Sequence, residues 1–151
     1  MALKIKELKD QGRKIVTLNG SFDLPHAGHL EILSQAYEQK SDEGILIVAL
    51  NSDDSIRRYK SADRPVVFLE GRLQMMAAYL FVDYVTWFEE NDPIALLEVI
   101  APHIHVNGSE YGVDCIEAPT VVKNGGKIHI VEKIPGLSTS QLMIRIQGMK
   151  T

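Results

Sequence analysis

The chain has 151 residues, 45% hydrophobic and 24% charged, with a formal net charge of -4 at pH 7. That composition fits a folded globular protein with one continuous core and excludes a disordered chain. Its 16 Lys and Arg are dispersed, and an acidic chain without a clustered basic face excludes non-specific nucleic-acid binding, which requires many phosphates to be neutralised together.

Residues 1–14 alternate Lys with apolar side chains and lack a continuous apolar run, so they predict an amphipathic helix and not a signal peptide. Ile15 to Leu18 is short and rich in β-branched residues, as a buried first strand should be. It leads into Asn19-Gly20-Ser21-Phe22-Asp23-Leu24-Pro25-His26-Ala27-Gly28-His29, a small-residue turn opening a helix over 28–39. Ile45 to Leu50 reads as the second strand, followed by a helix containing Ile56 and another from Glu70 to Phe81. Tyr84 to Phe88 is the third strand. Asp92-Pro93 then starts a helix over 93–100, because Asp accepts from free amides and Pro suits the first helical position. Ile104 to Val106 and Ile128 to Val131 are the last two strands, and Thr139 to Gln147 is the closing helix.

Strands alternating with helices predict an α/β fold, a single Rossmann-like doubly wound parallel sheet with helices on both faces, in one domain over residues 1–151. Ligands bind such sheets beyond the carboxyl ends of the strands. No apolar run reaches membrane-spanning length, so no membrane partner is expected. Cys115 is the only cysteine and forms no intrachain disulfide; a reducing, cytoplasmic location is the expectation.

His26 and His29 stand three apart at a helix start, on one face and beside the partial positive charge of the helix N-terminus. Backbone amides and imidazoles in that setting suit phosphate oxygens and charge developing on a leaving group. A zinc pair is the weaker alternative, since Asp23 is the one nearby carboxylate, and no resident metal site is expected. His103, His105 and His129 fall in strand segments and read as structural.

These residues carry a resemblance. Gly20-Ser21-Phe22-Asp23 with His26-Ala27-Gly28-His29 resembles the HxGH signature of the cytidylyltransferase-like nucleotidyltransferases. Asn51-Ser52-Asp53, Arg57 to Lys60, Arg64-Pro65, Glu70-Gly71-Arg72, Val82-Asp83, Phe88 to Glu90, Asn124 to Gly126 and Ser138-Thr139-Ser140 fall in the family's order. The pattern is most similar to the adenylyltransferase domain that makes ADP-heptose from D-glycero-D-manno-heptose 1-phosphate and ATP. Asn107-Gly108-Ser109-Glu110-Tyr111 stands where that subfamily usually reads Lys-Gly-Gly-Asp-Tyr.

The resemblance implies ATP as nucleotide, CTP being the alternative, with a small phosphorylated acceptor, Mg²⁺ accompanying the triphosphate, and a homodimer. The stripe from Leu73 to Val82, with Met75, Met76 and Tyr79, reads as core, with part available to a partner. His26, His29 and Lys60 are the implied catalytic residues. Gly20, Ser21, Phe22, Asp23, Gly28, Asn51, Asp53, Arg64, Arg72, Asn107, Gly108, Lys133, Ser138, Thr139 and Ser140 are the implied nucleotide and phosphate contacts. Local readings stand beside several of these: Lys60 and Arg64 also suit a solvated basic face, Asp53 a helix cap in place of a ribose contact, and Ser138 to Ser140 the cap of the last helix.

Direct in-line attack by the acceptor phosphate on the α-phosphorus, without a covalent intermediate, is the expected mechanism, because an ionised phosphate needs positioning and charge stabilisation only. Three other readings are a CTP-dependent enzyme acting on glycerol 3-phosphate, a silent nucleotide-binding module, and a dinucleotide-dependent oxidoreductase. The last lacks the Gly-x-Gly-x-x-Gly fingerprint after the first strand.

Overall fold

The structure is a computed structural model that describes residues 1–132 and 135–149. In chain order its elements are α1 (Ala2–Asp10), β1 (Ile15–Gly20), α2 (Ala27–Glu38), β2 (Ile45–Asn51), α3 (Asp53–Tyr59), α4 (Leu69–Ala77), β3 (Tyr84–Phe88), α5 (Ile94–Ile100), β4 (Ile104–Gly108), α6 (Ala118–Lys123), β5 (Lys127–Val131) and α7 (Thr139–Gln147). The five strands form one all-parallel sheet in the order β3-β2-β1-β4-β5. The chain winds outward from β1 through β2 to β3, then returns to the other side of β1. Between β1 and β4 the winding direction reverses, and there the loops diverge to leave a crevice.

Alternation of side chains across the pleat divides the core into two layers. Val16, Leu18, Leu46, Val48, Leu50 and Val106 face one way and meet Leu33 and Ala36 of α2 and Met76 of α4. Ile15, Ile45 and Ile47 face the other way, against Ile5 and Leu8 of α1 and Ile100 of α5. All seven residues of β2 are buried, which is why Ile-Leu-Ile-Val-Ala-Leu carries no polar alternation: a parallel strand covered on both faces has no solvent side. Each fully buried aliphatic side chain contributes about 1.5–3 kcal/mol of transfer free energy.

Several local expectations are corrected. The helix expected over 70–81 ends at Ala77; Tyr79, Phe81 and Val82 still pack on the core, but from a turn in which the Val82 amide donates to the Tyr79 carbonyl at 3.0 Å. Apolar spacing reports burial, and here burial outlasts the helix. The helix expected from Pro93 begins at Ile94, with Pro93 as N-cap and the Asp92 carboxylate accepting from the Ile94 amide at 3.0 Å. α6 was not legible at all, because a six-residue helix containing Pro119 is too short to display a period. His105 and His129 lie in β4 and β5, whereas His103 sits just before β4, its Nδ1 accepting from the Ile15 amide at 2.9 Å.

Candidate active site

A cleft of about 570 Å³ opens at the carboxyl ends of β1 and β4. Its floor is the end of β1 with the loop to Asp23, together with Asn107 and Gly108. One wall is the start of α2, the other the start of α7, and Lys60 enters from the end of α3. Gly20, Ser21, Phe22, Asp23, His26, Gly28, His29, Asn51, Lys60, Asn107, Gly108, Ser138, Thr139 and Ser140, all singled out from the sequence, line this one cleft. Arg64, Arg72 and Asp53 do not, and Lys133 lies outside the described residues.

Two helix N-termini converge on the cleft. His26 is the N-cap of α2: its Nδ1 accepts from the Gly28 amide at 3.1 Å, while His29 Nδ1 accepts from the His26 amide at 3.3 Å, a reciprocal capping box. An Nδ1 that accepts an N–H places the proton of a neutral ring on Nε2. Burial, then the neighbouring His26 and Lys60, push the His29 pKa down to about 4. His29 is therefore a neutral N–H donor at pH 7 and not the cation that charge neutralisation would require. The two rings lie 3.9 Å apart between centroids, so they act as one unit.

Gly28 is required by close approach. A Cβ there would fall 2.9 Å from His26 Cε1 and 3.3 Å from the Leu137 carbonyl oxygen, the latter in the loop before α7. α7 is capped by Ser138, whose Oγ accepts from the Gln141 amide at 3.2 Å. It is tied to the β1–α2 loop by the Thr139 hydroxyl, which donates to the Asp23 carbonyl at 2.7 Å. In that loop Phe22 and Leu24 have φ of 48° and 50°, left-handed conformations that cost bulky residues on the order of 1–3 kcal/mol and are held by their surroundings.

Those surroundings are where the expected charged contacts are engaged instead. The Asp23 carboxylate accepts from the Val66 and Val67 amides, both at 2.9 Å, and pairs with Arg64 at 2.8 Å. Asp23 is driven upward by burial, but these amides and Arg64 outweigh that and leave its pKa below the ordinary value. Arg72 is fully buried and donates to the carbonyls of Val67, Ser21 and Asn51 and to the Asp53 carboxylate. In place of the expected phosphate contacts, Arg64 and Arg72 bind the loop carbonyls and carboxylates that shape the cleft. Asp53 pairs with Arg72 in place of capping a helix, since Ser52 caps α3 by accepting from the Ser55 amide at 3.0 Å. Sequence spacing revealed the charges but not that they satisfy one another.

Lys60 is thus the Lys or Arg that reaches the cleft among the described residues. Desolvation in the cleft, then Arg64, lower its pKa. Beside it Tyr59, which had no assigned role, shares a 2.5 Å hydrogen bond with the Ser21 hydroxyl. Asn51 donates from Nδ2 to Ser55 Oγ at 3.1 Å, fixing its amide at the end of β2. Sequence reasoning placed Asn19 in the turn after the first strand without a role and missed Ile116, Glu117 and Glu132, and all four line the cleft; nothing about Glu117 in a short, unpatterned segment marks it. Among the described residues no three His, Cys, Asp or Glu side chains are grouped to hold a metal ion.

A family model described as cytidylyltransferase-like matches residues 17–142. The bifunctional protein HldE of Geobacter sulfurreducens is 38% identical over 139 residues, covering 91% of this chain and 28% of that protein. The bifunctional protein HldE of Alcanivorax borkumensis is 38% identical over 148 residues, 97% of this chain and 30% of that protein. The chain spans under a third of the length of these curated relatives. The crystal structure of the lipopolysaccharide core biosynthesis protein from Thermoplasma volcanium GSS1 shares the fold, with a TM-score of 0.63 at 23% identity over 80% of this chain and 96% of that one.

Proposed function

The chain belongs to the cytidylyltransferase-like family of nucleotidyltransferases, and we propose that it transfers AMP from ATP to a sugar phosphate, D-glycero-D-manno-heptose 1-phosphate, giving ADP-heptose and pyrophosphate. The observation that carries this reading is the convergence of the α2 and α7 N-termini, the paired imidazoles and Lys60 in one cleft at the point where the sheet reverses its winding. Free amides at both helix starts bind phosphate oxygens. His26 and His29 donate from Nε2 to the phosphate oxygens on which charge builds as pyrophosphate leaves, and Lys60 supplies the fixed positive charge. The acceptor phosphate is already ionised at neutral pH, so no general base is required and the protein's task is alignment.

Mg²⁺ enters this proposal bound to the triphosphate. The described residues offer no cage for it and the Asp23 carboxylate is already engaged by Arg64 and two amides, so none of the steps above passes through the metal. A homodimer is part of the same proposal, supported by exposed apolar side chains at Phe68, Met75 and Leu80 around α4; sedimentation at micromolar concentration that gives a fully active monomer removes it.

The deciding experiment is pyrophosphate release over ATP, CTP, GTP and UTP against heptose 1-phosphate, glycerol 3-phosphate and related acceptors. ATP with heptose 1-phosphate is expected to exceed CTP at least about tenfold, about 1.4 kcal/mol of transition-state stabilisation. Faster turnover of CTP with glycerol 3-phosphate replaces this assignment.

A further inference from the structure

The cleft is charged unevenly along its length. Lys60 lines the cleft at the β2 side, whereas Glu110, Glu117 and Glu132 line the side nearer β4 and β5, together with the apolar Ile116 and Val131. A triphosphate is repelled from that acidic end, so the part of a nucleotide that fits there is uncharged, flat and able to donate hydrogen bonds.

Glu117 is the buried member of the acidic set, 5% exposed, and its Oε2 accepts from Asn107 Nδ2 at 3.2 Å. Asn107, itself 4% exposed, is fixed on β4, so the carboxylate is held against the strand end. Asn19 follows Leu18, which is in register with Val106, so Asn19 and Asn107 end neighbouring strands. Asn19 Oδ1 is buried and without a hydrogen-bond partner among the described residues. A carboxylate accepts only, so a group seated against it must donate.

We infer that Glu117, positioned by Asn107, reads the nucleobase and selects bases that carry an exocyclic amine. The inference rests on the nucleotidyltransferase reading of the cleft. Adenine and cytosine present an N–H₂ where hypoxanthine and uracil present a carbonyl oxygen. That oxygen would face carboxylate lone pairs and leave a buried acceptor unpaired, the kind of mismatch by which polar sites reject close analogues.

The test is equilibrium binding of two matched pairs, ATP against ITP and CTP against UTP, to the full chain and to Glu117→Gln and Glu117→Val. The isosteric Gln variant serves if the Val variant does not fold, and melting curves establish which do. Wild type is expected to bind the amine-bearing member of a pair at least about tenfold tighter, and the variants to narrow that ratio to about threefold or less. Affinity for inorganic tripolyphosphate is expected to stay unchanged in the variants. Equal binding within both pairs by wild type, or full discrimination retained by Glu117→Gln, overturns the inference while leaving the nucleotidyltransferase reading intact. Wild type that binds none of the four nucleotides overturns both.

Discussion

The two ends of the cleft are built on opposite plans. At the β1–β2 end, Asp23, Arg64, Arg72 and Asp53 are engaged with one another and with loop carbonyls and amides, so these four charges hold shape. At the β4 end, Asn107 and Glu117 are buried and hydrogen-bonded to each other, Asn19 Oδ1 is buried without a hydrogen-bond partner among the described residues, and all three residues line the cleft. A motif rich in charge is therefore not the same as a site rich in charge. The first end positions Nε2–H donors and helix amides on a rigid frame, and the second leaves acceptors facing the cavity.

Removing Arg72 attacks that frame most directly. Arg72→Ala leaves the carbonyls of Ser21, Asn51 and Val67 without their buried donor, and a stability loss of about 3 kcal/mol or more is expected by denaturant titration. If Arg72 were a phosphate ligand and not part of the frame, stability would hold while KM for the triphosphate rose.

The imidazoles test the opposite property. His26→Ala and His29→Ala are each expected to lower kcat on the order of a hundredfold, roughly 2.7 kcal/mol. Because His26 also caps α2, Ala there should cost about 1 kcal/mol of stability, and His26→Asn should restore the cap without restoring turnover. Near-normal kcat in His26→Asn would reduce His26 to a cap and remove the imidazole from the mechanism.

Acid sensitivity separates site from core. His105 on β4 is fully buried, its Nδ1 2.8 Å from the Thr17 hydroxyl, and burial lowers its pKa to about 4. The folded state thus resists a proton that the unfolded chain takes up near pH 6.5, so stability is complete above that pH and is lost as pH falls toward 4. A loss on the order of 2 kcal/mol by pH 5 is expected from this group. His105→Gln should flatten the melting-temperature profile between pH 7 and 5; an unchanged slope assigns the acid lability elsewhere, His29 being the next group by the same sign.

The smallest effect expected is at the second helix start. Ser138→Ala removes the cap of α7 and should cost about 1 kcal/mol, with a rise in KM for the triphosphate if that N-terminus binds phosphate. Stability loss with unchanged KM would leave α2 as the phosphate-binding helix.

The sequence by itself determined the strands, the layers and the helix start that carries His26 and His29. Buried strands such as Ile45 to Leu50 are readable because a parallel strand covered on both faces must be apolar throughout, and His26 and His29 are readable because the turn, the spacing and the helix start that orient them are local. Short range sufficed wherever the cause was short range. Tertiary structure alone decided what each charge touches. Arg72 meets Ser21 from 51 residues away, Arg64 meets Asp23 from 41, and Glu117, the residue before α6, meets Asn107 of β4 across the intervening loop. A side chain's residue type fixes whether it can bind an anion, but its partners in space determine whether that capacity remains open to a ligand, and those partners are set by how distant segments pack.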